Sequence, residues 1–287
     1  MKKAVLAIAI LALLLIAYLS VSSYGASTLE VPRIPLEQSP ESVAYEDVAF
    51  PSRVDHLTLK GWYMPGGTFI IIVVTGGHQS RVNPVEGTLE LSKDLVNAGY
   101  SILLFDLRGR GESEGKGLIL IHTERDIGGA VDYVKAQGHS DIAILGFSAG
   151  AASALSLATQ EDIAAIVSDS CFAQVAPVLV RAAADKWGLP KWFIKVLAPG
   201  IFLMAEINYG YEKVDPVDIV AGTDCPILFI QGEADNLIPA KDAYKLLEAS
   251  NNPLDRLWAV PNAGHCQAYN TDPSGYIARV KAFLGGM

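Results

Sequence analysis

This sequence predicts an α/β fold with a mostly parallel sheet and helices on both faces, and three observations predict it. The continuous apolar run at 69–74 reads as a strand buried on both sides, and the third such segment, the short apolar run 142–145, follows a further strand at 100–105. Amphipathic or small-residue segments of helical length alternate with those runs. A glycine-flanked turn, Gly146-Phe147-Ser148-Ala149-Gly150, joins the third run to a helix. In sheets of this kind, ligands gather at the carboxyl ends of the strands.

Residues 43–50 and 56–64 are rich in β-formers, and Pro51-Ser52-Arg53 joins them as an antiparallel hairpin. After the strand at 69–74, a helix is expected over 84–98, stopped by Gly99. The strand at 100–105 leads to a helix over 123–137, with Thr123 as its cap and Glu124 and Asp126 in its first turn. Strand 142–145, helix Ala149–Ala158 and strand 163–167 follow. The chain closes with strand 227–230, helix 240–249, strand Arg256–Val260 and helix 275–284. The segment 171–215 is too long for a simple connection and carries Trp187, Trp192, Phe193, Phe202 and Met204. It is expected to form a small helical cap over the carboxyl edge of the sheet.

At 287 residues the chain can bury one large core. Its formal charge of −9 disfavours a nucleic-acid partner. Lys2 and Lys3 precede an unbroken apolar run, 4–19, which rises roughly 24 Å as a helix. Residues 1–26 therefore read as a signal-anchor or, with Ser23 at the −3 place before a cut after Gly25, as a cleaved signal peptide. Either sends the bulk of the chain to the outer, extracytoplasmic side of the membrane. Residues 27–40 hold Pro32, Pro35 and Pro40 and read as a linker, leaving 41–287 as the folded domain. Cys171, Cys225 and Cys266 lack metal-ligand spacing and read as free thiols, with a Cys171–Cys266 pair as the alternative.

The chemistry starts at Ser148. Serine attacks poorly until a base removes its proton, and that base is held in one tautomer by an acid. Asp235 follows strand 227–230 and His265 follows strand Arg256–Val260, so both fall at the same sheet edge as Ser148. Glu233 and Asp169 are the competing acids. His56 lies in the hairpin and His139 at the opposite end of the sheet. A tetrahedral intermediate needs two backbone N–H donors. Ala149 supplies one, and Gly77, in the loop Thr75-Gly76-Gly77-His78 after strand 69–74, supplies the other. No metal or organic cofactor is required.

The order Ser148, Asp235, His265 and the segments Asp106-Leu107-Arg108-Gly109-Arg110-Gly111, Ser168-Asp169-Ser170-Cys171-Phe172 and Gly232-Glu233-Ala234-Asp235 resemble the α/β-hydrolase superfamily. The chain looks closest to its membrane-associated serine-aminopeptidase-type group. The resemblance implies an α/β-hydrolase fold with a cap insertion and a Ser-Asp-His triad. One departure stands out: the family usually has His-Gly where this chain has Thr75-Gly76. The histidine braces the oxyanion loop, and His78 is the candidate replacement. The glycine-rich turn 106–113 reads as structural.

The expected function is a serine hydrolase cleaving an ester, thioester or amide, with an apolar, lipid-like acyl group as the small-molecule substrate. The alternatives are a peptidase or amidase, for which the cap offers Asp185 and Glu206, and a catalytically silent binding protein at the membrane.

Overall fold

The structure, a computed structural model, describes residues 2–36, 38–40 and 43–286; Glu37 of the expected linker, Glu41 and Ser42 at the start of the expected domain, and the two terminal residues lie outside the described residues. In chain order the main elements are α1 (Lys2–Ser27), β1 (Glu46–Pro51), β2 (Thr58–Met64), β3 (Ile70–Val74), α2 (Thr88–Asn97), β4 (Ser101–Phe105), α3 (Thr123–Ala136), β5 (Ile142–Phe147), α4 (Ala149–Ala158), β6 (Ala165–Asp169), α5 (Val175–Trp187), α6 (Lys191–Tyr209), β7 (Ile227–Gly232), α7 (Lys241–Ala249), β8 (Arg256–Val260) and α8 (Pro273–Leu284). They group into two compact units. One comprises residues 2–30 with Val175–Lys213, and the other comprises Val31–Gln174 with 214–286.

The larger unit is built on an eight-stranded sheet in the order β8-β7-β6-β5-β3-β4-β2-β1. β1 and β2 pair antiparallel, β2 joins β4 antiparallel, and the remaining neighbours are parallel. Every residue of β3, β4, β5, β6 and β7 is buried, as expected for apolar strands covered on both faces. Strand order reverses at β3: the chain steps outward to β4, then crosses back to β5. The carboxyl ends of β3 and β5 are thus neighbours at a topological switch point, with Val74 level with Gly146.

Four details depart from the sequence expectations. Helix α2 starts at Thr88, not at 84, because Asn83 Oδ1 accepts from the Val85 amide and Thr88 Oγ1 from the Asn83 amide, holding Pro84 to Glu86 in a turn. Thr123 is the first helical residue of α3, not its cap; His122 precedes it at φ 59° and makes no side-chain cap bond. Strand β6 runs two residues past 167 and ends at Asp169. The stretch after α1 is partly tied down, since Val31 is buried and Arg33 Nη1 donates to the Gly111 carbonyl at 3.1 Å. Cys171, Cys225 and Cys266 are buried free thiols, so the Cys171–Cys266 pair does not form.

The smaller unit is built on three helices, α1, α5 and α6. Within it, Val180, Ala184, Ile194 and Ala198 form the contact between α5 and α6, with Trp187 and Phe202 packed at its margin.

Candidate active site

The turn between β5 and α4 places Ser148 at φ 49°, ψ −113°, a conformation that costs a non-glycine residue about 1–3 kcal/mol. The flanking glycines are a consequence of packing. A Cβ on Gly146 would lie 2.7 Å from the Ala151 backbone, and one on Gly150 would lie 2.6 Å from the Val74 carbonyl. The buried run of β5 and the small residues of α4 thus squeeze the turn and raise Ser148 at the strand's end.

Three strand ends bring the polar side chains together. His265 Nε2 lies 3.1 Å from Ser148 Oγ, and His265 Nδ1 lies 2.7 Å from Asp235 Oδ2. Asp235 is buried and receives three further hydrogen bonds: Leu237 and Ile238 amides to Oδ1 at 2.9 and 2.7 Å, and Gln231 Nε2 to Oδ2 at 3.1 Å. Four hydrogen-bonding groups therefore surround the one carboxylate. The His265 ring is thus oriented with Nδ1 toward the carboxylate and Nε2 toward the serine hydroxyl.

The competing acids separate cleanly. Glu233 is exposed. Asp169 is fully buried, and burial pushes its pKa up to about 7. Its backbone carbonyl accepts from the Ser148 amide at 2.8 Å, and its Oδ1 accepts from Ser170 Oγ at 2.8 Å. Ser170 Oγ in turn accepts from the Cys266 amide at 3.0 Å, next to His265. Asp169 therefore fixes the backbone on both sides of the Ser148–His265 pair. His139 bonds Tyr63 and the Thr68 carbonyl, at the amino-terminal end of β3.

Ala149 opens α4, so its amide lies at a helix N-terminus, where partial positive charge accumulates. Gly77 sits at φ +48° in the loop after β3. His78, the next residue along, is exposed. Two residues the sequence reading did not single out grip the Gly76 peptide groups. Glu86 Oε1 accepts from the Gly76 amide at 3.0 Å, and Arg110 Nη1 donates to the Gly76 carbonyl at 3.2 Å. A planar trans peptide points its N–H opposite to its C=O. Arg110, by holding the Gly76 carbonyl, thereby sets the direction of the Gly77 N–H.

Both grips are buried. Burial pushes Glu86 up to about 8 and Arg110 down to about 10, so at neutral pH the arginine is charged and the glutamic acid is largely protonated. The second Glu86 oxygen, Oε2, has no hydrogen-bond partner among the described residues. Arg110 is held in a tight turn around Asp106, whose carboxylate accepts from the Arg81 and Glu112 amides. Arg81 is itself buried, lies over the Trp62 ring at 4.2 Å and pairs with Asp106 and Glu112.

Comparison with known proteins bears on the family and the fold. Residues 72–280 match the model of the Alpha/beta hydrolase family. The uncharacterized protein Rv2307c of Mycobacterium tuberculosis is 30% identical over 240 residues, covering 80% of this chain and 76% of that protein. The uncharacterized protein YqkD of Bacillus subtilis is 27% identical over 236 residues, with 80% and 76% covered. Among solved structures, an esterase of Pyrococcus furiosus superposes with a TM-score of 0.76 at 24% identity, covering 90% of this chain and 97% of that one. Est1E from Butyrivibrio proteoclasticus with ferulic acid bound gives 0.63 at 20% identity, covering 85% and 98%. These two likenesses are likenesses of fold.

Proposed function

We propose a function from one premise: the chain belongs to the alpha/beta hydrolase family. We infer that it is a serine hydrolase of carboxylic esters, working through an acyl-enzyme on a small substrate with an apolar acyl group. The observation that carries this reading is the hydrogen-bonded line Ser148–His265–Asp235. That some of its fold neighbours are esterases supports ester over amide substrates.

The steps follow from the geometry. Ser148 Oγ attacks the acyl carbonyl as His265 Nε2 takes its proton, and Asp235 stabilises the imidazolium that forms. The Gly77 and Ala149 N–H groups hold the oxyanion. Collapse of the tetrahedral intermediate breaks the bond to the alcohol, which leaves with the proton from His265. A water then repeats the sequence on the acyl-enzyme and releases the acid. In this reading α1 is a membrane anchor with Lys2 and Lys3 on the inner side.

Fluorophosphonate labelling of the full chain in detergent tests the proposal, with the modified residue located by peptide mass spectrometry and Ser148→Ala as control. Stoichiometric label on Ser148 alone is expected. A folded protein that takes no label would overturn the hydrolase reading in favour of a binding protein of the same fold.

A further inference from the structure

The smaller unit distributes its surface in the opposite way to a soluble helical domain. Every described residue of α1 up to Ala17 is exposed. From Tyr18 onward α1 packs on α6. The Tyr18 hydroxyl accepts from the Gly200 amide at 3.0 Å and donates to the Val196 carbonyl at 3.1 Å. It stands between the two partners of an intrahelical hydrogen bond, just beside Pro199, which supplies no N–H to its own turn. Gly200 leaves no room for a side chain there, since a Cβ would lie 2.3 Å from Ser22 Oγ and 2.7 Å from the Tyr18 ring. Further along, Gly25 abuts Ile201 and Tyr209 donates to Glu30 at 2.6 Å, so the two helices run in the same sense. The start of α6 thus lies on the side of Tyr18 toward the exposed part of α1.

The length of the exposed stretch matters. From Ala4 to Ala17 a helix rises roughly 21 Å, whereas a bilayer's hydrocarbon core is roughly 30 Å thick. The missing ~9 Å amounts to about six further residues. That carries the lipid boundary past Tyr18, into the segment that packs on α6. Tilt only enlarges the deficit.

The surface of α6 has the matching chemistry. Trp192, Val196, Leu203 and Ile207 are exposed, Trp192 and Ile207 by about two-thirds (66% and 65%). At 100° per residue these four fall within an arc of roughly 60°. The Gly200 contact with α1 borders one edge of that stripe, so it is continuous with the exposed apolar surface of α1. On the other edge Lys191 and Lys195 join Arg181, Lys213 and Phe202 around a pocket of about 680 Å³. Residues 175–213 carry Arg181, Lys186, Lys191, Lys195 and Lys213 against Asp185, Glu206 and Glu212, a basic excess in a chain of formal charge −9.

We propose that α6 is a second membrane contact: its Trp192–Val196 face sits at the headgroup–acyl boundary of the leaflet into which α1 emerges, with Lys191 and Lys195 against anionic lipid phosphates. An apolar stripe flanked by lysines and a tryptophan is what an interfacial helix requires, the lysine stems lying along the apolar surface with their charges among the headgroups. This inference rests on α1 being an anchor.

Site-directed spin labelling separates the two ideas. Since Cys171, Cys225 and Cys266 are buried, single cysteines introduced as Trp192→Cys, Val196→Cys, Leu11→Cys and Tyr244→Cys accept a nitroxide selectively. The full chain is reconstituted in phosphatidylcholine–phosphatidylglycerol vesicles, and collision rates with oxygen and with a water-soluble nickel chelate are compared. Labels at 192 and 196 are expected to favour oxygen severalfold over the label at 244, approaching the label at 11. If 11 is lipid-exposed while 192 and 196 both match 244, α6 lies in water and the inference is overturned with the anchor intact. If 11 also matches 244, the anchor reading fails and the inference falls with it.

Discussion

The two units of this chain treat polar and apolar surface in opposite ways. In the larger unit, charged groups go inside. Asp106, Asp126, Asp169, Asp235, Arg81, Arg108 and Arg110 are all buried. They are held by specific partners; Arg108, for example, bonds Asp126 through Nε, Nη2 and its amide. In the smaller unit, apolar groups go outside, with α1 and one face of α6 exposed. Buried polar groups cost free energy unless they are hydrogen-bonded, so a fold retains them where they position something. Exposed apolar groups cost little in an apolar solvent. The larger unit is built as a rigid scaffold for a few atoms at one sheet edge, and the smaller unit as a surface.

Substitutions at the sheet edge should sharpen this contrast most. Asp235→Asn removes the acceptor that fixes the His265 tautomer and should lower kcat about 10³–10⁴-fold in ester hydrolysis, with slower fluorophosphonate labelling of Ser148. Arg110→Met keeps the volume but frees the Gly76 carbonyl and with it the Gly77 N–H. It should lower kcat roughly 10–10²-fold, less than loss of an oxyanion donor itself, with KM nearly unchanged. A parallel rise in KM would break the positioning account.

Glu86→Gln addresses the cost of burial instead. Glu86 has its pKa raised by burial to about 8, so it stays protonated in the folded state while an unfolded chain releases the proton above the ordinary value of 4.5. The folded state then binds more protons than the unfolded one. Stability from this group is fully present below pH ~4.5 and is lost as pH rises toward 8, at up to about 1.4 kcal/mol per pH unit. Glutamine keeps an acceptor for the Gly76 amide and does not titrate. The thermal midpoint of Glu86→Gln should therefore fall less between pH 5 and 8 than that of the parent, and equal slopes would reject the buried-acid account. Asp169, raised to about 7, contributes in the same sense and is unaffected by the change.

The smallest effect is expected on the other unit. Trp192 is exposed, with Phe193 as its aromatic neighbour. In detergent, Trp192→Ser should change stability by no more than about 0.5 kcal/mol, read as the thermal midpoint. A large loss would show that the residue carries folding energy and is not simply surface.

Much of the larger unit was legible because its signals are local. Five-residue buried strands, a glycine-squeezed turn and polar residues just past strand ends are all read within short windows, and parallel topology then puts those ends side by side. That logic brought Ser148, Asp235 and His265 to one edge. It could not find Glu86, which helical periodicity placed inside a helix over 84–98, although Asn83 ends that reading by capturing the Val85 amide. Nor could it find Arg110, whose glycine-rich turn read as structural; its grip on Gly76 spans 34 positions. Gln231 offered one faint signal, a polar residue near the end of an apolar strand.

The sequence by itself determined the alternation of buried strands and helices, the strained serine turn, the acid and base at following strand ends, and an apolar helix at the N-terminus. These depend on hydrophobic period, glycine sterics and chain order, all of which are written locally. The tertiary structure alone decided which peptide groups hold the Gly76–Gly77 loop, that Asp169 is buried behind the triad-like line while Asp235 faces His265, and that Tyr18 enters the turn of α6 at Gly200, 182 positions away. Those outcomes depend on which hydrogen-bonding groups meet when distant segments pack, and no window of sequence contains both partners.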